Sequence, residues 1–171
     1  MQNNQKRLLL HCCCAPCSSS VLERLTAHYD VVMFFCNPNI MPAAEYEKRL
    51  SEQRNLASVC NIKLVEAQYD NAAFLKAVKG EKNCEICIEM RLAEAAKAAR
   101  EAGFDAFTTT LSVSPHKNTA LINKILLEQG GIYGVEPLCE DFKKRGGFQR
   151  SVELSKQYGL YRQNYCGCII E

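Results

Sequence analysis

Short apolar runs alternate along this chain with longer segments of helical period. Arg7 to His11 is a compact apolar run that reads as a strand. Ser18 to Tyr29 follows as a helix, with Val21, Leu22 and Leu25 on one face. Asp30 to Cys36 is continuously apolar, as expected of a strand buried on both sides in a parallel sheet, and Asn37-Pro38-Asn39 ends it with turn chemistry. Pro42 to Cys60 reads as a helix burying Tyr46, Leu50, Leu56 and Val59. Ile62 to Ala67 is a third strand, and Asn71 to Val78 a short helix ending at Gly80. Ile88 to Ala102 is a strong helix rich in Ala, Glu and Arg, stopped by Gly103. Phe104 to Thr110 is a fourth strand, and Lys117 to Gln129 a helix stopped by Gly130-Gly131. From Ile132 the pattern is mixed, with a helix over Gln149 to Tyr158.

This alternation implies right-handed βαβ units and a central parallel sheet covered by helices on both faces. A length of 171 residues, with no internal repeat or Pro- or Ser-rich linker, suits a single α/β domain over 1–171. Ligands in such sheets bind beyond the carboxyl ends of the strands. The chain carries 21 Lys and Arg against 19 Asp and Glu, a net charge of +2. That excludes binding a polyanion by bulk charge but leaves room for a local basic patch. No apolar signal-peptide core precedes Leu8, and Leu8-Leu9-Leu10 is far too short to span a bilayer. A cytoplasmic location with reduced thiols is therefore expected.

The compositional anomaly is the presence of 11 cysteines. An odd count in a reducing compartment points to metal or redox chemistry rather than a disulfide scaffold. His11-Cys12-Cys13-Cys14-Ala15-Pro16-Cys17 lies between a strand and a helix, where the helix N-terminus favours thiolates. Cys14 and Cys17 form a C-x-x-C pair, open to a thioredoxin-like redox reading; the adjacent Cys13 favours a metal, since a dithiol switch needs no third neighbour. Cys84-Glu85-Ile86-Cys87 is a second C-x-x-C at a helix start, and Cys166-Gly167-Cys168 a third group. Two C-x-x-C motifs can supply four thiolates to a tetrahedral zinc or a four-iron cluster. The surplus beyond four suggests a second metal or a redox pair. Cys36, Cys60 and Cys139 read as structural thiols, as does Cys12, which should point away from the site if the strand continues.

Five segments carry a resemblance: LLLHCCCAPCS, FFCNPNIMPAAEYEKR, CEICIEMRLAEAAKAA, FTTTLSVSPHKN and LYRQNYCGC. In this order, from Leu8 to Cys168, the chain resembles the cobalamin-independent epoxyqueuosine reductases, the QueH family. The resemblance implies a nucleotide-hydrolase-like (Rossmann-like) α/β sandwich, a [4Fe–4S] cluster and an additional iron ion. It further implies reductive deoxygenation of epoxyqueuosine to queuosine in tRNA, the last step of queuosine biosynthesis, with electrons from an external ferredoxin- or flavodoxin-like donor. By the same resemblance, Cys13, Cys14, Cys84 and Cys87 match the cluster cysteines, while Cys17, Cys166 and Cys168 fall near the second iron or in electron delivery. Cys12 and Cys36 stand where the family pattern does not require cysteine. Asp141 is a candidate iron ligand or proton donor, or else a helix cap; Lys143, Lys144, Arg145, Arg150 and Arg162 read from composition as a charged surface face, which the resemblance turns into the candidate tRNA patch, with Tyr158, Tyr161 and Tyr165 as stacking partners.

Other residues have plainer readings beside functional ones. His11 is either a hydrogen-bond donor to a sulfur or a strand-end histidine satisfied by backbone. Asn37, Asn39 and Glu45 could hold the substrate diol or cap the next helix, and Lys117 could meet a phosphate or stay solvated. A thiol–disulfide oxidoreductase using Cys14 and Cys17, and a zinc-binding RNA module, are the competing functions. Fold-related tRNA sulfur transferases carry a glycine-rich pyrophosphate loop after the first strand; a cysteine run stands there in this chain, so ATP use is not expected.

Overall fold

A computed structural model describes residues 4–170. In chain order the elements are β1 (Arg7–His11), α1 (Ala15–Leu25), β2 (Asp30–Phe35), α2 (Ala43–Cys60), β3 (Leu64–Glu66), α3 (Asn71–Ala77), α4 (Cys84–Glu101), β4 (Ala106–Thr109), a 3-10 turn (Leu111–Val113), α5 (Thr119–Tyr133), β5 (Glu136–Pro137) and α6 (Gly147–Tyr158). The five strands form one all-parallel sheet in the order β3-β2-β1-β4-β5, with helices on both faces, the expected α/β architecture. No described helix is long and apolar enough to cross a membrane.

The strand alternation sorts the core into two layers. Leu8, Leu10, Val31 and Met33 pack with α1 and α2 on one face, joined by Phe142 and Leu160. Leu9, Val32, Phe34 and Phe107 pack with α4 and α5 on the other. Both faces are covered, which is why the strands read as unbroken apolar runs.

Several boundaries differ from the sequence pattern. α1 begins at Ala15 rather than Ser18, because Pro16 occupies the first turn, where its missing N–H costs nothing. α4 begins at Cys84 rather than Ile88: the Asn83 side chain accepts from the Ile86 N–H at 3.0 Å and starts the helix four residues early. α5 runs through Gly130-Gly131 to Tyr133, and Gly134, at φ +70°, ends it. Gly130 is required there by a close approach, since a Cβ would sit 2.7 Å from the Val135 carbonyl oxygen. β5 was not expected. It is two residues long and pairs only with Ala106 and Phe107.

Candidate metal centre

β1 lies between β2 and β4, with His11 in register with Phe34 on one side and Thr109 on the other. The chain order reverses here, so the crevice beyond β1 is the topological switch point of the sheet. Cys12 to Cys14 cross it, and α1 starts immediately after. The sulfurs of Cys13, Cys14 and Cys17 all lie within 4.8 Å of one another. Those of Cys13 and Cys14 are 3.9 Å apart. The Cys13 N–H donates to Thr110 Oγ1 at 3.0 Å, and the same hydroxyl lies 3.1 Å from the Cys13 sulfur.

Side-chain hydrogen bonding with Cys14 and Cys17 holds the Cys13 thiol well below its ordinary pKa, and the Arg91 charge and Thr110 add to this against the effect of burial. The reciprocal bonds push Cys14 up to about 12 and Cys17 well above its usual value. The three thiols thus act on one another as one group. A metal ion that displaces their protons would be held by three sulfurs, so this group can bind a metal.

Cys84, Cys87, Cys166 and Cys168 line a second pocket, together with Asn39 and Lys117. Cys84 and Cys87 come from the first turn of α4. Cys166 and Cys168 reach the pocket because the chain turns at Gly167, whose φ is +112°. A Cβ at Gly167 would lie 2.8 Å from Ile40, and the Gly167 carbonyl accepts from the Met41 N–H at 2.8 Å. Two groups of sulfurs thus stand in the fold, Cys13 with Cys14 and Cys17, and Cys84 with Cys87, Cys166 and Cys168.

Arg91 stands between the two groups. Its Nη1 lies 3.8 Å from the Cys87 sulfur, and Nε and Nη2 donate to Asn37 Oδ1 at 3.1 and 2.7 Å. Asn37 Nδ2 in turn donates to the Cys12 carbonyl at 2.9 Å. Neither Arg91 nor Thr110 was singled out from the sequence. Their signals were present: Arg91 is one helical turn after Cys87, and Thr110 follows a strand pointing at the switch.

The other candidates sort clearly. His11 is fully buried, with its ring nitrogens 2.8 Å from Thr109 Oγ1 and 2.9 Å from the Cys36 carbonyl oxygen. Burial, then the Arg91 charge, lowers its pKa to about 4, so the imidazole is neutral and ties strand ends together. Cys12 is buried in the layer under α1, and burial raises its thiol to about 12. Asn37 is occupied by Arg91 and Cys12, and Glu45 by Arg49 and the Tyr161 hydroxyl. Asn39 lines the second pocket with a buried Oδ1 that has no partner among the described residues. Asp141 lies in the loop after β5, its Oδ1 3.2 Å from Lys143 Nζ; Lys143 also donates to Thr119 Oγ1.

In the basic stretch, Arg150 is clamped by Glu23 at 2.8 Å and Glu153 at 3.1 Å, and Arg162 donates to Ser155 Oγ at 3.3 Å. Lys144 and Arg145 are exposed, and their side chains have no partner among the described residues. Arg145 lines a groove between α1 and α6 beside Arg24. Tyr161 packs under Lys48, and Tyr165 donates to the Met41 carbonyl, so of the three tyrosines Tyr158 is the more exposed.

The sequence profile described as epoxyqueuosine reductase QueH matches residues 8–171. The epoxyqueuosine reductase QueH of Staphylococcus epidermidis is 41% identical over 178 residues, spanning 95% of this chain and 75% of that protein. That of Staphylococcus aureus is 42% identical over 95% of this chain and 74% of its own length. That of Thermotoga maritima is 39% identical over 95% of this chain and 88% of its own length. A profile match over nearly the whole chain, with relatives this similar, places the chain in the epoxyqueuosine reductase QueH family.

Proposed function

We propose that this chain reduces epoxyqueuosine in the tRNA anticodon to queuosine, using a [4Fe–4S] cluster and an additional iron ion held by its seven grouped cysteines. The observation that carries the reading is the all-sulfur donor set at the switch point, three thiols in one group and four around the neighbouring pocket. Sulfur donors without imidazole suit iron–sulfur chemistry. The grouping also favours a division between the centres. Metal–sulfur bonds of about 2.3 Å around one tetrahedral ion set sulfurs about 3.8 Å apart, close to the 3.9 Å between Cys13 and Cys14. A four-iron cluster takes four cysteines, each on a different iron and so wider apart, which suits Cys84, Cys87, Cys166 and Cys168.

When bound, the metal centres supply electrons one at a time and Lewis acidity toward the epoxide oxygen. Two electrons and two protons convert the epoxide to an alkene and water. Asn39 Oδ1 accepts from a substrate hydroxyl, and Lys117 on the pocket rim meets a phosphate. Asp141, on the loop after β5, donates a proton to the leaving oxygen. Lys143, Lys144, Arg145, Arg150 and Arg162 hold the tRNA backbone, with the target base splayed from its stack. The electrons come from an external ferredoxin- or flavodoxin-like protein, and the enzyme works in the cytoplasm.

The likeness to epoxyqueuosine reductases favours this reading over a dithiol switch at Cys14 and Cys17. The test is anaerobic purification, iron and sulfide quantification, and turnover on epoxyqueuosine-containing tRNA. Iron and acid-labile sulfide should be present, and chelated protein should show no reduction even with excess thiol. Cys87→Ser should lose most cluster iron and all turnover. Undiminished activity without iron would establish the thiol mechanism, and zinc without sulfide the RNA-module reading.

A further inference from the structure

Arg91 is 2% exposed, as is Arg49. A buried guanidinium needs an anion. Arg49 has one, Glu45, at 2.8 Å. Arg91 forms no ion pair with a carboxylate among the described residues. Its partners are the neutral amide oxygen of Asn37 and the sulfur of Cys87. A cation has thus been built into the interior against the sulfur of a cysteine rather than a carboxylate.

We infer that Arg91 is a positioning residue that sets the reduction potential of the metal centres held by the two cysteine groups and braces those groups against each other through Asn37. This rests on the metal reading above. Each electron added to a centre makes it more negative, and a fixed positive charge in a dry site stabilises the reduced form more than the oxidised one. Arg91 therefore raises the potential and eases electron entry from the donor. The brace is geometric. Two guanidinium nitrogens grip Asn37 Oδ1, and Asn37 Nδ2 grips the Cys12 carbonyl, so α4 and the Cys12–Cys14 loop are fixed relative to one another.

The test is a potentiometric titration of the reconstituted holoprotein, followed by electron paramagnetic resonance, on the parent, Arg91→Met, Arg91→Gln and Arg91→Lys. Met and Gln remove the charge at similar length; Lys keeps it but loses the fork. At the parent's midpoint, the neutral variants should show a reduced-to-oxidised ratio at least tenfold lower, a shift of about 59 mV for a one-electron couple. Arg91→Lys should stay within threefold of the parent. A neutral variant with the parent's iron content and a ratio within threefold of the parent overturns the proposal. Should both neutral variants fail to take up iron, the lysine variant decides: normal uptake and potential uphold the charge as the cause, and its failure as well overturns it in favour of the Asn37 fork alone. A parent protein that takes up no iron overturns the metal reading, a result distinct from any of these.

Discussion

The Cys13 thiol is held below its ordinary pKa first by side-chain hydrogen bonding with Cys14 and Cys17, with the Arg91 charge and Thr110 adding to it. That arrangement depends on single atoms, and so does the packing that holds α6 over α1. Gly147 is the sharpest case. A Cβ there would lie 1.7 Å from the Phe142 carbonyl oxygen, which is backbone and cannot rotate away. Gly147→Ala must displace Phe142 from the layer under α1 or shift the start of α6. Overpacking of this kind costs about 2–3 kcal/mol, and urea unfolding should show it as a lower midpoint with an unchanged slope. From sequence, Gly147 reads only as the end of a basic stretch. The constraint on it comes from the Phe142 carbonyl, five residues earlier in the loop that leads into α6, and the sequence does not show that this loop folds back so closely.

At the level of elements, strands were legible where they were central. β1 and β2 are buried on both faces, and their apolar runs stand out within a residue of the true bounds. β5 was not, because an edge strand of two residues ending in proline has neither a run nor an alternation to read. α5 was cut short at Gly130-Gly131 because glycine usually signals an end; here its small size serves the approach of Val135, and Gly134 makes the turn. The cysteines themselves were fully legible, but the sequence does not show which of them stand close together. Spacing shows which sulfurs share a helical turn, but not which loops meet in space. Cys17 joins Cys13 and Cys14 because α1 starts at Ala15, leaving Cys14 as its cap and Cys17 in its first turn. The cap on α4 makes the same point testable. Asn83→Ala removes the acceptor for the Ile86 N–H and should cost about 1 kcal/mol of stability, read from the urea midpoint. The iron content of the holoprotein should fall with it, since the capped turn carries Cys84 and Cys87.

Across the whole molecule, the cysteines and the unpaired basic residues lie toward opposite ends of α1. Arg24, which donates to the Lys144 carbonyl at 2.6 Å, stands ten residues after Cys14 on this helix, about 15 Å along its axis at 1.5 Å per residue. That separation lets a nucleic-acid backbone rest on one end while a single splayed base reaches the other. With a net charge of only +2, long-range attraction is weak and binding should depend on individual Lys–phosphate and Arg–phosphate pairs. The five basic residues do not contribute equally. Arg150 is neutralised by two glutamates, Lys143 faces Asp141, and Arg162 is engaged with Ser155. Lys144 and Arg145 have no such partners and offer their full charge to solvent. Lys144→Ala with Arg145→Ala should therefore weaken tRNA binding and flatten its salt dependence. The slope of log affinity against log salt should fall by about 1.4, or about 0.7 for each single-strand phosphate that the protein no longer neutralises. Arg150→Ala should change the slope by less, because its glutamates already screen it. Iron content should stay at the parent value in every case, since none of these residues touches a cysteine. A double variant with the parent's affinity and slope would move the docking surface to the Lys117 rim of the second pocket, where Lys117→Ala should then produce the loss instead.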